Sequence, residues 1–514
     1  MLRTSTTVSV IVFLILLAFK PVYSKVLYVD INNGSDDVTY QQNSESNPWL
    51  TIGRAMWGNT FRSSGNPAEA AQPGDTVIIA PGTYHQDQET SERFDPVLEP
   101  INNGVNGNPI TFRAAFPAST CAPSNRTIIT TNTNQQFGEP VIGSNGGAYL
   151  IFDGFYINER NVTLRNSLEC FTVSANDANN ISFVNMQIYS RDVAADLGYS
   201  SSTNHAAIYI EDSHNVTVSN CKLHGGFGSH HNISAILTYG TYNSSFYNNE
   251  IYDWYLAIHY KGDYNSPLQQ GNNSAYYNLI HRIQQGFHFG IVVGTRGETE
   301  IYQNVITNSL SGSGGAAFVS RSYNSTSPSG IAIVNNTVNN MGDSIYGGGF
   351  YLKDGIGHAD WRVYNNIITN SVNGIDAQER SNLPLSQFTF DYNYWADLSN
   401  THLRINYSNQ GFSYYQSVVG QGPNDNNSFD INYVNASEND LRISGSIPTG
   451  IDILDLDNDG QSNDQIAAGA YINDNVAIGN IADTGSGSDI IVDDPQENIP
   501  SIPGGLQIIL SYID

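Results

Sequence analysis

Ala207-Ile208-Tyr209-Ile210-Glu211 reads as small, apolar, outward, inward, outward, and six further stretches repeat that form. They are Ala235-Ile236-Leu237-Thr238-Tyr239, Ala257-Ile258-His259-Tyr260-Lys261, Gly290-Ile291-Val292-Val293-Gly294, Ala317-Phe318-Val319-Ser320-Arg321, Gly349-Phe350-Tyr351-Leu352-Lys353 and Gly374-Ile375-Asp376-Ala377-Gln378. Their first residues lie 28, 22, 33, 27, 32 and 25 residues apart. A strand that returns at so loose a period predicts one strand per turn of a solenoid, with loops of varying length inserted. The expected fold class is all-β, a right-handed single-stranded parallel β-helix.

Alternate side chains of a strand point to opposite faces, so the second and fourth residues fill the interior and the third and fifth face water. Coils stack roughly 4.8 Å apart, which turns the fifth positions into a column: Glu211, Tyr239, Lys261, Gly294, Arg321, Lys353, Gln378. Beside it runs Tyr209, Leu237, His259, Val292, Val319, Tyr351, Asp376. Three cations of the first column, with Arg296 just past the fourth strand, stand in a chain of only 21 Lys and Arg against 48 Asp and Glu. They form a basic stripe on an acidic protein.

The net charge of −27 argues against nonspecific binding to nucleic acid or to a membrane surface. Residues 1–24 read as a secretory signal, with Arg3, an apolar run from Val8 to Phe19 and a small-residue cleavage site at Val22 to Ser24. The run is short for a bilayer span, and no later stretch is long enough for one. The expected product is secreted, extracellular or periplasmic, and monomeric, with no membrane span after signal removal. A solenoid grows lengthwise without a domain break, so residues 25–474 are expected to form one domain and 475–514 a flexible Gly-, Ser-, Asp- and Pro-rich tail. Export permits a Cys121–Cys170 disulfide, whereas Cys221 reads as a small buried residue. Asn-X-Ser/Thr sites such as Asn161, Asn180, Asn215 and Asn243 are glycosylation sites only in a host that glycosylates.

Near the start, Val26-Leu27-Tyr28-Val29-Asp30, Pro48-Trp49-Leu50-Thr51-Ile52, Gln72-Pro73-Gly74-Asp75-Thr76-Val77-Ile78-Ile79 and Pro81-Gly82-Thr83-Tyr84 follow one another. This succession resembles the N-terminal cap and first coils of secreted right-handed parallel β-helix proteins of the pectate-lyase-like type. The stretch from Thr51 to Ala71 suits a short amphipathic cap over the open end of the core. A second ladder places Asn185, Asn220, Asn248, Asn335 and Asn365 after apolar strands. Asn tolerates left-handed turns, and stacked Asn side chains can hydrogen-bond between coils. Asp455 to Gly460 opens like a calcium loop, but position twelve is Ile466 rather than Glu, which argues against an EF-hand. Ala468-Gly469-Ala470-Tyr471 reads as a last coil.

A long face with regularly spaced polar groups suits an extended polymer. Export and the exposed aromatics expected at Tyr209, Tyr239 and Tyr351 point to polysaccharide, and the cations to an anionic one. On a uronate polymer the natural reaction is β-elimination, which needs a neutralised carboxylate, a base and help for the departing oxygen. Lys261 is the leading base, since neighbouring cations lower a lysine's pKa. Arg296 and Arg321 hold the carboxylate, Tyr239 and His259 are candidates for protonating the leaving oxygen, and Lys353 binds an adjacent unit. Asp376 joins Tyr209 and Tyr351 among the substrate-binding candidates. The layout resembles the β-helical lyases of the chondroitinase B and alginate lyase group, in which a Lys base works with an Arg from a neighbouring coil. That resemblance implies Lys261 as base and Arg296 as the Arg. It also implies calcium beside the site, for which Glu211 and Asp212 are the candidates, without a wider acidic cluster around them.

Two other functions fit the same face. A glycoside hydrolase needs two carboxyl groups about 5 to 9.5 Å apart, and Asp376 with Glu379, Glu211 with Asp212, or Asp263 with Asp354 are available. A non-enzymatic adhesin would bind glycan without product. Surface cations are also commonly just solvated, His259 suits packing as well as catalysis, and His230 and His231 fit a metal ligand set poorly.

Overall fold

The structure, a computed structural model, describes residues 24–86, 96–131, 140–158, 170–190, 204–225, 232–261, 270–289, 297–310, 315–321, 329–343, 345–353, 359–378, 388–444, 448–451 and 465–470. Side chains at the strand ends Cys170, Arg321, Lys353 and Gln378 are not among those described. The signal segment, the tail beyond Asp474, His230, His231, Asp263, Arg296, Asp354, Glu379 and the Asp455–Gly460 turn lie outside the described residues. The undescribed side chain of Cys170 is one half of the expected disulfide.

Among the described residues three long sheets run the length of the molecule. The first has twelve strands from Val26–Val29 to Phe388–Asp391, and the second eleven from Gly82–Gln86 to Tyr394–Ala396. The third has eleven, from Ile142–Asn145 to the closing hairpin of Thr401–Ile405 and Ser408–Gln410. Each coil gives one strand to each sheet; Thr217–Ser219, Lys222–His224 and Ile233–Tyr239 make one such turn before Ser245–Tyr247 begins the next. Pairing is parallel throughout except in that hairpin and two short C-terminal pairs. The chain is a parallel β-helix.

Inward positions stack in register. Ile208 meets Ile236, Ile236 meets Ile258, and the column continues through Phe287, Phe318, Phe350 and Ile375 to Leu403. Its rings lie parallel, with Phe318 centred 5.8 Å from Phe287 and 4.9 Å from Phe350. Stacking identical positions buries each apolar side chain on every side, which no single coil could do.

One repeat differs from the expectation. The strand between Leu256–Lys261 and Ala316–Arg321 is Gln285–Phe289, so Gly286-Phe287-His288-Phe289 occupies the place expected of Gly290-Ile291-Val292-Val293. Both stretches satisfy the alternation, and only the stacking of Phe287 on Ile258 and Phe318 selects between them.

The small first residue of each repeat has a structural reason. The third-sheet ladder skips it in coil after coil: Ala206 pairs with Ser234 and Ile208 with Ile236, while Ala207 and Ala235 pair with nothing across the sheet. The strand is creased there, and neighbouring coils come backbone to backbone; a Cβ on Gly286 would stand 2.5 Å from the Ala317 carbonyl oxygen.

At the turn between the first and second sheets, the expected asparagines are left-handed, with φ of 55° at Asn185, 54° at Asn220, Asn248 and Asn335, and 58° at Asn365. The buried ladder lies one residue further on. Asn249, Asn278, Asn304, Asn336, Asn366 and Asn393 each pass a side-chain amide to the next side-chain oxygen at 2.9–3.2 Å, ending on Asp425. Cys221 starts the column and is buried as expected, its thiol pushed up to about 12 by burial.

Both ends are capped. Ile52–Trp57 forms a helix with every residue buried, opened by the Thr51 hydroxyl accepting from the Arg54 amide and closed by left-handed Gly58. At the far end Trp395, Phe412 and Tyr415 enclose His402, with ring centres 4.6–4.7 Å away. The chain then folds back over the outside of the second sheet, where Ala468 packs in a cluster with Ile367 and Tyr394, and Ala470 with Leu279 and Val305. Ala468-Gly469-Ala470 therefore covers the helix from outside and is not its last coil.

His402 yields a stability prediction. It is 6 % exposed, and among the described residues neither ring nitrogen has a hydrogen-bond partner. Burial pushes its pKa down from 6.5 to about 3. The fold keeps the ring neutral while the unfolded chain takes up a proton below about pH 6.5, so this stability is lost as pH falls. His402→Phe is expected to stabilise the protein, and the gain to grow by about 2 kcal/mol between pH 7 and pH 5. Urea unfolding of both proteins at the two pH values reads it as a difference. Asp425, whose carboxyl burial raises to about 6, acts in the opposite sense in both proteins and cancels. A gain independent of pH would show that His402 is charged in the fold.

Candidate functional site

The crease turns the outer face of the third sheet into a trough. A straight strand would hold Asn204 and Glu211 about 23 Å apart, at roughly 3.3 Å per residue. Yet two side chains in the Glu211 column reach Asn204. Lys261 Nζ donates to Asn204 Oδ1 at 2.7 Å, and Asn204 Nδ2 donates to the Tyr239 hydroxyl at 3.1 Å. The strands must therefore fold toward their outer face, with Asn204 on one wall and Tyr239 and Lys261 on the other. Bonds across the crease show the same concavity: His288 Nδ1 lies 2.8 Å from Gln285 Oε1, and His259 Nδ1 lies 3.5 Å from Ser234 Oγ.

Register places the expected stripe as read on either side of the shifted fourth repeat. Glu211 pairs with Tyr239 and Tyr239 with Lys261, while Arg321 pairs with Lys353 and Lys353 with Gln378. Lys261 and Tyr239 are half-buried, and the ammonium lies over the Tyr239 ring, 5.3 Å from its centre. Arg321 stands two strands along from Lys261, roughly 10 Å at the coil spacing. On the floor, His259 and His288 occupy adjacent coils with ring centres 4.5 Å apart, 4 % and 8 % exposed. If His288 Nδ1 carries its proton toward Gln285 Oε1, its Nε2 is left as an acceptor.

Two expected site residues, and one position of the outward column, are placed differently. Tyr209 is 3 % exposed and stacks on Phe171 at 3.9 Å with planes 4° apart, so it packs the wall rather than presenting a ring to solvent. Asp376 is fully buried and accepts from Arg404 Nη1 at 3.1 Å, because an isolated carboxylate at that depth requires a cation. It anchors Arg404, and as a hydrolytic carboxylate it is engaged. The outward residue of the fourth repeat is His288, not Val292. Tyr351 is half-buried on the trough between Val319 and Asp376.

Glu211, the first of the two expected calcium ligands, pairs with Asn176, and Asp212 follows it at the strand end. Calcium takes six to eight oxygen ligands, and among the described residues no three His, Cys, Asp or Glu side chains converge.

Sequence reasoning missed Asn204 and His288. Asn204 carries no signal in so Asn-rich a chain, since it meets Lys261 across 57 residues. His288 was legible: Gly286-Phe287-His288-Phe289 fits the repeat, and starting it at Gly286 makes the spacing more even.

No protein-family profile matches the chain, and no curated protein sequence does. Among solved structures it is similar to pectate lyase Pel9A, with a TM-score of 0.52 and 15 % identity over 88 % of this chain and 97 % of that one. The fold is shared with a pectate lyase. A rhamnogalacturonan lyase is also similar, at TM-score 0.46 and 15 % identity, over 72 % of this chain and 87 % of that chain. So is a lacto-N-biosidase from Eubacterium ramulus, at 0.45 and 11 %, over 79 % and 68 %. Identities this low bear on the fold alone.

Proposed function

We propose that this protein is a secreted polysaccharide lyase that cleaves a uronate-containing, anionic polysaccharide by β-elimination in the third-sheet trough. The observation that carries the reading is the shared amide of Asn204, which holds the Lys261 amine and the Tyr239 hydroxyl together on one side of the cleft, the amine acting in its neutral form. One residue could take the proton beside the carboxylate and the other return a proton to the departing glycosidic oxygen. As the C–H bond breaks its electrons form the new double bond, and the C–O bond to the leaving sugar breaks. Base and acid reach the sugar from the same face, which favours syn elimination. Arg321, and Arg296 outside the described residues, are the proposed partners of the substrate carboxylate, with Lys353 for an adjacent unit. The trough is a local cationic feature on a chain of net charge −27, so it selects an anionic polymer where the rest of the surface repels one. Among the described residues no helix is long and apolar enough to cross a membrane.

The test is incubation with alginate, polygalacturonate, glycosaminoglycans, ulvan and sulfated galactan, recording ultraviolet absorbance and reducing ends together. Both are expected to rise on one uronate polymer. Reducing ends without absorbance would replace elimination by hydrolysis, and silence in both would leave a binding protein.

A further inference from the structure

Five strands beyond Lys261, about 24 Å at the coil spacing, the trough ends at Arg404. Its side chain occupies the same outward column as His259 and His288, on the strand that pairs with Asn373–Gln378. The side chain is 4 % exposed, and its guanidinium lies over two tyrosine rings, 4.8 Å from the centre of Tyr346 and 5.3 Å from that of Tyr407. Asp376 Oδ2 and the Ile345 carbonyl accept its hydrogen bonds at 3.1 and 3.0 Å. Both residues remain open to water, Tyr346 at 43 % and Tyr407 at 63 % exposure.

Each ring is carried by a hydrogen-bonded element. Tyr346 ends a tight turn in which it exchanges both backbone hydrogen bonds with Asp343, at 3.1 and 3.0 Å. Tyr407 sits at the tip of the closing hairpin with φ of 66°, after Asn406 at 46°. The second position of such a turn is the usual place for glycine, and a bulky residue there carries strain. Asn409 pairs with Arg404 in the hairpin and so faces the same side; it is exposed beside the rings, with hydrogen bonds to Asn400. Exposed aromatic faces braced by a buried cation, with amides alongside, match a pyranose, which has an apolar face of C–H groups and a rim of hydroxyls. Bracing lowers the ordering cost of binding.

We propose that Tyr346 and Tyr407, braced by Arg404, form a distal sugar-binding subsite that stacks on one pyranose of a polysaccharide lying along the trough. The substrate class rests on the reading of the trough as a polysaccharide site, whereas stacking does not depend on which bond is broken. A ligand must be several sugar units long to touch both this subsite and Lys261, so the subsite selects for chain length.

The test is affinity electrophoresis through gels containing alginate, polygalacturonate, chondroitin sulfate or ulvan, beside cleavage assays on the same polymers. Wild-type protein is expected to be retarded by at least one polymer. Tyr346→Ala/Tyr407→Ala is expected to bind that polymer about tenfold more weakly, a loss of roughly 1.4 kcal/mol. Tyr346→Phe/Tyr407→Phe keeps the ring faces and is expected to bind as wild type does, which separates lost stacking from misfolding. Wild-type affinity in the alanine pair would overturn the subsite, as would weak binding by the phenylalanine pair. Retardation that depends on the rings, with no polymer cleaved, would overturn the lyase reading and leave the subsite standing. No retardation by any polymer would overturn both.

Discussion

Lys261→Met is expected to lower kcat/KM on the cleaved polymer by about 10²–10⁴-fold, the range for losing a general base. The loss should fall on kcat, because the proton is taken only in the transition state. Lys261 ends a third-sheet strand with its side chain half-buried on the trough wall, so unfolding should change little. Lys261→Arg makes the test specific. A guanidinium keeps the charge and can still donate to Asn204, but it does not give up its proton in a protein. Arg should therefore restore nothing if Lys261 is the base; recovered activity would make it a clamp for the substrate carboxylate instead. Tyr239→Phe keeps the ring beneath the ammonium and removes only the hydroxyl that Asn204 holds. A comparable fall in kcat is expected if that hydroxyl is the acid.

The largest effect on stability is expected inside the helix. Asn336 is fully buried, accepts from the Asn304 backbone and side-chain amides at 3.0 and 2.9 Å, and donates to the Ile301 carbonyl and to Asn366 Oδ1 at 2.9 and 3.0 Å. Asn336→Leu preserves approximate volume but leaves these groups short of partners in a site that water does not reach. Each orphaned group costs about 1–3 kcal/mol, so a total loss of about 2–5 kcal/mol is expected, measured as a shift of the denaturant midpoint. The ladder is continuous from Asn249 to Asp425, and the defect should loosen the coils on both sides. A loss below about 1 kcal/mol would show that neighbouring amides re-pair across the gap.

Much of this architecture was legible in the chain. Alternation within Ala207–Glu211 and its relatives is a local property, and it told correctly that Ile208, Ile236, Ile258, Phe318, Phe350 and Ile375 share one interior column. Left-handed asparagines were legible for the same reason. The continuous hydrogen-bonded ladder one residue further on was hidden in the doublets Asn248-Asn249, Asn335-Asn336 and Asn365-Asn366, where the left-handed backbone of the first residue separates the turn position from the ladder position. Gly286 and Gly290 both open acceptable repeats, and phase across a loop is a matter of stacking rather than of local pattern. Outward alternation also overstated exposure: Tyr209 and Asp376 point away from the core and are still buried, one against Phe171 and the other beneath Arg404.

Strand period, interior face and the cationic column thus followed from the order of residues, because each depends on neighbours a few positions apart. The trough followed only from the fold. A crease at a small residue leaves no more trace in the chain than alanine or glycine, and it alone brings Asn204 within reach of Tyr239 and Lys261, 35 and 57 residues away. Contacts of that range are set by how many residues each coil consumes and where its strand bends, and those are decided when the coils pack.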